Sequence, residues 1–172
     1  MKTSRKNREN IIIFIDNSNL FHSFRKINFM CDYKKLKNIL TGDRNLVNAI
    51  LYMGLMYPVK AKDKAWLNKL KYLGYKVKTR SVKVSPTGIK KEKRIDVLMA
   101  VDMIASAFEI SYDTILLVSG DSDFIPVIVK LLELGKNVEI WSFKDLLSSQ
   151  LKEVAGLNNC HYIDDILDEL AF

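Results

Sequence analysis

Ile115-Leu116-Leu117-Val118-Ser119-Gly120-Asp121-Ser122-Asp123-Phe124-Ile125-Pro126 is the stretch whose reading decides the fold. Its first four residues have the length and apolar character of a strand buried on both faces. Ser119-Gly120 ends the run, and Pro126 suits the first turn of a helix, where a missing N–H costs nothing. The segment reads strand, tight turn, helix, with Asp121 and Asp123 at the carboxyl end of the strand. In open α/β sheets that edge is where ligands bind. Two carboxylates there repel unless protonated, hydrogen-bonded or bridged by a cation. The plain alternative to a metal or phosphate site is that Asp121 caps the turn and Asp123 the helix.

Working outward, Asn10-Ile11-Ile12-Ile13-Phe14-Ile15-Asp16 is a second apolar run ending in an acid, and reads as the first strand. Asn17-Ser18-Asn19 breaks it, leaving Leu20 to Ile27 for a helix. Asp32 is placed to cap a helix from Tyr33 to Leu40, with Gly42 as its stop. A further strand lies within Leu46 to Tyr57, and a helix from Lys62 to Leu73 ends at Gly74. Tyr75 to Val84 alternates as a strand with one wet, basic face. Ser85-Pro86-Thr87-Gly88 is a turn, and Ile95 to Phe108 is the most apolar helix. After Gly135 come a strand at Asn137 to Trp141, a helix at Ser148 to Val154, a short strand at Cys160 to Ile163 and a helix at Asp164 to Ala171. Strands alternating with helices predict an α/β protein, a three-layer α/β/α sandwich with a mostly parallel central sheet. At 172 residues, without repeats or linkers, the chain reads as one domain, with a core over about 10–143 and a C-terminal helical extension over 144–172.

Composition narrows the setting. No apolar run is long enough to span a bilayer, and the basic N-terminus leads into a strand-like run with no signal-peptide core. Cys31 and Cys160 fit no metal spacing and read as unpaired thiols, so a reducing cytoplasm is expected. The net charge of +7 is concentrated: Lys60 to Arg94 holds thirteen Lys or Arg against Asp63 and Glu92, a local +11 that leaves −4 for the remainder. That points to a polyanion as partner. A solvated lysine-rich helix face explains Lys60 to Lys71, but less well the continuation through a strand and a loop.

If the strands ending in Asp16 and Asp121 are parallel neighbours, Asp16, Asp121 and Asp123 converge at one edge. Asp96, at the start of the apolar helix, either joins them or favours the helix dipole. Asp102 lies well off the Asp96 face and reads as a structural polar group or one supporting the site from behind. Such acids suit Mg²⁺ or Mn²⁺, which activate water for phosphodiester hydrolysis. Asn17 and Asn19 supply neutral polar groups or merely form a turn, and Ser119 is placed to hydrogen-bond a carboxylate or phosphate.

Phe-Ile-Asp-Asn-Ser-Asn at 14–19, Lys-Arg-Ile-Asp-Val-Leu-Met-Ala-Val-Asp-Met at 93–103 and Leu-Val-Ser-Gly-Asp-Ser-Asp-Phe-Ile-Pro at 117–126 together resemble the NYN domain. This PIN-like nuclease family includes the bacterial LabA/DUF88 proteins. The resemblance implies a PIN-like sandwich with a carboxylate site for Mg²⁺ or Mn²⁺ acting on RNA. Carried over by position, the metal-site acids are Asp16, Asp96, Asp121 and Asp123, with Asn19 in support. One departure is Arg94, where family members commonly have glycine.

The expected function is therefore a metal-dependent ribonuclease. Lys76, Lys78, Arg80, Lys83, Lys90, Lys91, Lys93 and Arg94 would contact RNA phosphates. Tyr72 and Tyr75 either stack on bases or belong to the core. One alternative is a non-catalytic RNA-binding adaptor. Another is an Asp-based phosphatase with Asp121 as nucleophile and Asp123 as acid, which the Asp16-Asn17-Ser18 strand end fits poorly. His22 and His161 are isolated, and the apolar helix faces leave room for a homodimer.

Overall fold

Ile11 to Ile15 are fully buried along both faces of their strand, which places that strand at the centre of the sheet. The computed structural model describes residues 8–84, 90–92 and 94–172. The strands are β1 (Asn10–Asp16), β2 (Asn45–Leu55), β3 (Lys76–Val84), β4 (Lys90–Glu92), β5 (Thr114–Val118), β6 (Asn137–Ser142) and β7 (Cys160–Tyr162). The helices are α1 (Asn17–Lys26), α2 (Tyr33–Thr41), α3 (Ala61–Tyr72), α4 (Ile95–Glu109), α5 (Ile125–Glu133), α6 (Ser149–Ala155) and α7 (Leu167–Leu170). The sheet order is β4-β3-β2-β1-β5-β6-β7, with every pairing parallel except that of β4 on β3.

Alternation along β1 divides the core in two. Ile11, Ile13 and Ile15 face Leu20 and Phe24 of α1, Leu36 and Leu40 of α2 and Leu70 of α3. Ile12 and Phe14 face Met99 and Met103 of α4, Ile128 and Leu131 of α5, and Leu151 of α6. The three-layer α/β/α sandwich is thus the observed architecture. Among the described residues no helix is long and apolar enough to cross a membrane.

Two boundaries differ from expectation. Asn17-Ser18-Asn19 does not break the chain but forms the first turn of α1, because the Asp16 side chain accepts the Asn19 N–H and caps the helix from the strand end. Near the C-terminus, a 3₁₀ turn over Ile163–Ile166 precedes the short α7. There Asp164 accepts the Lys144 N–H and Asp165 pairs with the Lys144 ammonium, pulling the turn onto the loop after β6.

The first two helices are tied by a buried polar contact, the Tyr33 hydroxyl donating to Asn17 Oδ1 at 2.5 Å. Tyr33→Phe strands that buried carbonyl and is expected to lower stability by about 1–3 kcal/mol, measurable by urea denaturation. A Tyr33→Phe chain as stable as wild type would show that the contact contributes nothing.

Candidate active site

β1 pairs with β2 on one side and β5 on the other, so the chain reverses its direction of winding at the β1/β5 junction. Ligands bind outside the carboxyl ends of strands at such a switch point. Asp16 ends β1, and Ser119-Gly120-Asp121 follows β5. The register links Asp16 to Tyr52 and Tyr52 to Lys78, while continuing β5 and β6 by one residue brings Ser119 beside Asp16 and Ser142 beside Ser119. One transverse row at the carboxyl edge is therefore polar, all on the face covered by α4, α5 and α6. The preceding row holds Val77, Leu51, Ile15 and Val118.

Asp16 is buried, with Oδ1 accepting the Asn19 N–H at 3.2 Å and Oδ2 accepting the Ser119 hydroxyl at 3.3 Å. The same hydroxyl accepts the Asp121 N–H at 3.3 Å, so one serine joins the Asp16 carboxylate to the backbone of Asp121. Asp121 caps the 3₁₀ turn Ser122–Phe124, its Oδ1 taking the Asp123 N–H at 2.9 Å. The Asp123 side chain points into solvent, and Asp96 is exposed in the first turn of α4. Asn17 is buried with its carbonyl engaged by Tyr33; Asn19 is half-buried.

Gly120 has no room for a side chain. A Cβ there would strike the Leu146 carbonyl oxygen and Ser142 Oγ, so the loop after β6 packs directly on the turn carrying Asp121. Ser148 N–H donates to the Gly120 carbonyl at 3.1 Å and fastens the same loop. The Ser142 hydroxyl is buried at this junction without a hydrogen-bond partner among the described residues.

The basic segment divides. Lys76, Lys78 and Arg80 alternate along β3 and are exposed, but Lys78 is committed to Asp102 at 2.7 Å. Asp102 also accepts the Tyr52 hydroxyl at 2.6 Å, and burial with this bond pushes the Tyr52 phenol well above its ordinary pKa. Asp102 thus ties α4 to β2 and β3 beside the Asp16 row. Lys93 and the side chains of Lys83, Lys90 and Lys91 lie outside the described residues. Tyr75 is excluded as a stacking group: it is buried, its hydroxyl donating to the Tyr33 carbonyl at 2.7 Å.

The NYN domain profile matches residues 10–163. The chain belongs to the NYN domain family. It is 28% identical over 161 residues to the low amplitude and bright protein LabA of Synechococcus elongatus, covering 90% of this chain and 82% of LabA. Another relative is the uncharacterized protein MJ0482 of Methanocaldococcus jannaschii, 28% identical across 88% of this chain and 55% of that protein. The crystal structure of VPA0982 from Vibrio parahaemolyticus, a protein of unknown function, superposes with a TM-score of 0.79 at 24% identity, covering 96% of this chain and 99% of that one. That likeness bears on the fold.

NYN domains are PIN-like nucleases, and divalent metals are typical of such enzymes. The donor set here is all oxygen, which suits a hard cation. Among the described residues no three Asp, Glu, His or Cys side chains gather closely enough to enclose an ion. Mg²⁺ takes only one or two carboxylates and keeps its waters, so it needs no such enclosing group.

Tyr52, Asp102 and Ser142 at this NYN edge were not singled out as site residues from the sequence. The local signal was a polar residue closing each apolar alternation, as Ser142 closes Val138 and Ile140. Cross-strand register, which aligns them, is not written locally.

Arg94 caps α4 with φ of +78°, a left-handed backbone that favours glycine. Arg94→Gly should therefore raise stability by about 0.5–1 kcal/mol, the relief of left-handed strain less the entropy glycine adds to the unfolded chain; an unchanged or lower urea midpoint would contradict this. Gly120→Ala should cost about 1–3 kcal/mol, because backbone must move to admit the methyl group. A thermal midpoint equal to wild type would show that the loop yields freely.

Proposed function

We propose that this chain is a ribonuclease that hydrolyses RNA phosphodiester bonds with a Mg²⁺ or Mn²⁺ ion held by Asp16 and Asp121. The observation that carries the reading is the single Ser119 hydroxyl between the Asp16 carboxylate and the Asp121 amide, at the switch point of the sheet. It fixes two acids from strands far apart in sequence at one edge, and a divalent cation is a group that neighbouring carboxylates can share. When bound, the ion supplies Lewis-acid activation of water and of the phosphoryl oxygen.

The chain's own groups would do the rest. Ser119 and the Asn19 N–H orient Asp16, so that its oxygens meet substrate in one geometry. Asp96 adds negative charge from the start of α4. Asp123 stands in solvent on the 3₁₀ turn, where it can take a proton from attacking water. Lys76, Arg80 and Arg94, all exposed, are among the cations that would contact the phosphate backbone.

Cleavage of a labelled single-stranded RNA with Mn²⁺, with Mg²⁺ and with EDTA tests this reading. Asp121→Asn should reduce cleavage by at least about 100-fold, the scale of losing one preorganised electrostatic group, and EDTA should abolish it. Cleavage surviving both would refute the metal-nuclease reading. Hydrolysis of small phosphate esters without RNA cleavage would favour the phosphatase, and metal-independent binding without cleavage the adaptor.

A further inference from the structure

β2 runs three residues past Tyr52, the partner of Asp16, so its end stands about 10 Å beyond the acid row. The loop that follows exposes two large hydrophobic side chains, Met56 and Tyr57, and Tyr57 is 66% exposed. Leaving so much ring in water forgoes on the order of 1 kcal/mol of burial. Tyr72 is 91% exposed but ends α3, and α3 returns the chain to the opposite edge of the sheet. Tyr57 is thus, among the described residues, an exposed tyrosine at the same edge as Asp16 and Asp121, where Tyr162 at the end of β7 is half-buried.

The residues after Tyr57 are chosen against local stability. α3 starts behind Lys60, which makes no side-chain cap bond, and Lys62 and Lys64 follow within its first turn or next to it. Ser, Thr, Asp or Asn would cap better, and the lysines oppose the positive end of the helix dipole, which Asp63 in the first turn offsets only in part. None of these three lysines forms an ion pair among the described residues. On the neighbouring strand Arg80, level with Gly54, is exposed. A poorly capped helix start with three unpaired cations next to an exposed ring gains nothing within the fold, and local rules are broken in this way where a site is served.

We infer that the loop joining β2 to α3 is a subsite for single-stranded RNA, in which Tyr57 stacks on an unpaired base and Lys60, Lys62 and Lys64 take the flanking phosphates. This rests on the RNA reading of the Asp16 site and gives it a substrate form. A duplex has its base faces already stacked and offers none to Tyr57, so the subsite selects unpaired segments.

The test is fluorescence anisotropy with the full chain, a short fluorescein-labelled single-stranded RNA and the blunt duplex made from it, in EDTA so that neither is cut. Tyr57→Ala should weaken single-strand binding by about 5- to 150-fold, the measured worth of one base–aromatic stack, and leave duplex binding unchanged. Tyr57→Trp should restore it, and Tyr72→Ala should have no effect. Replacing Lys60 and Lys62 by Gln should flatten the salt dependence by about 0.7 in logarithmic slope for each phosphate no longer neutralised. Single-strand affinity unaltered in Tyr57→Ala, or weakened equally for both RNAs, would overturn the subsite. If wild type binds single strands through Tyr57 yet cuts them in EDTA, the subsite stands and the metal-nuclease reading falls. If wild type binds neither RNA, both fall.

Discussion

The Ser119 hydroxyl is the hinge pin of this structure. It donates to a buried carboxylate at the end of β1 and accepts an amide at the end of β5. Around it the ordinary pattern of an α/β sheet is suspended for one row. The row before it, Val77, Leu51, Ile15 and Val118, is apolar, and in the next Tyr52, Asp16, Ser119 and Ser142 stand side by side. Burying such groups is costly unless each finds a partner. The fold meets that requirement for the acids with capping bonds: Asp16 caps α1 and Asp121 caps its own turn. The capping reading open for Asp121 in the sequence is the one its contacts show, and a capped carboxylate keeps oxygen lone pairs for a ligand.

The surrounding packing serves that edge. Gly120 lets the loop after β6 press on the Asp121 turn, and Asp102 ties α4 to β2 and β3 through Tyr52 and Lys78. β2 and β3 run past the level of the acids. Exposed groups beyond that level include Arg80 along β3 and Tyr57 with three lysines after β2.

Much of this was legible in the residues. Two apolar runs ending in Asp gave the central strands, because burial on both faces leaves an unmistakable composition. Asp32 and Gly42 marked the bounds of α2 correctly, since caps are local chemistry. Asn17 and Asn19 misled, for a turn and a first helical turn use the same residues, and only the Asp16 cap decides between them. The family was legible as well, through the three motifs that flank the acids. What the sequence withheld was lateral: the alignment of Tyr52 and Lys78 with Asp16, the diversion of Lys78 into an ion pair, and which tyrosine faces which edge. Those depend on register across strands and on the direction in which each helix returns.

The span bridged by Ser119 has a temporal meaning. It joins positions 103 residues apart, and β1 cannot complete its second flank until β5 exists. On the ribosome, β1, β2 and β3 can assemble with their helices while Asp16 still lacks its neighbour. Contacts so distant in sequence form late and slow folding. The acidic edge is therefore born incomplete: a nascent chain carries the half-sheet before Ser119 can reach Asp16.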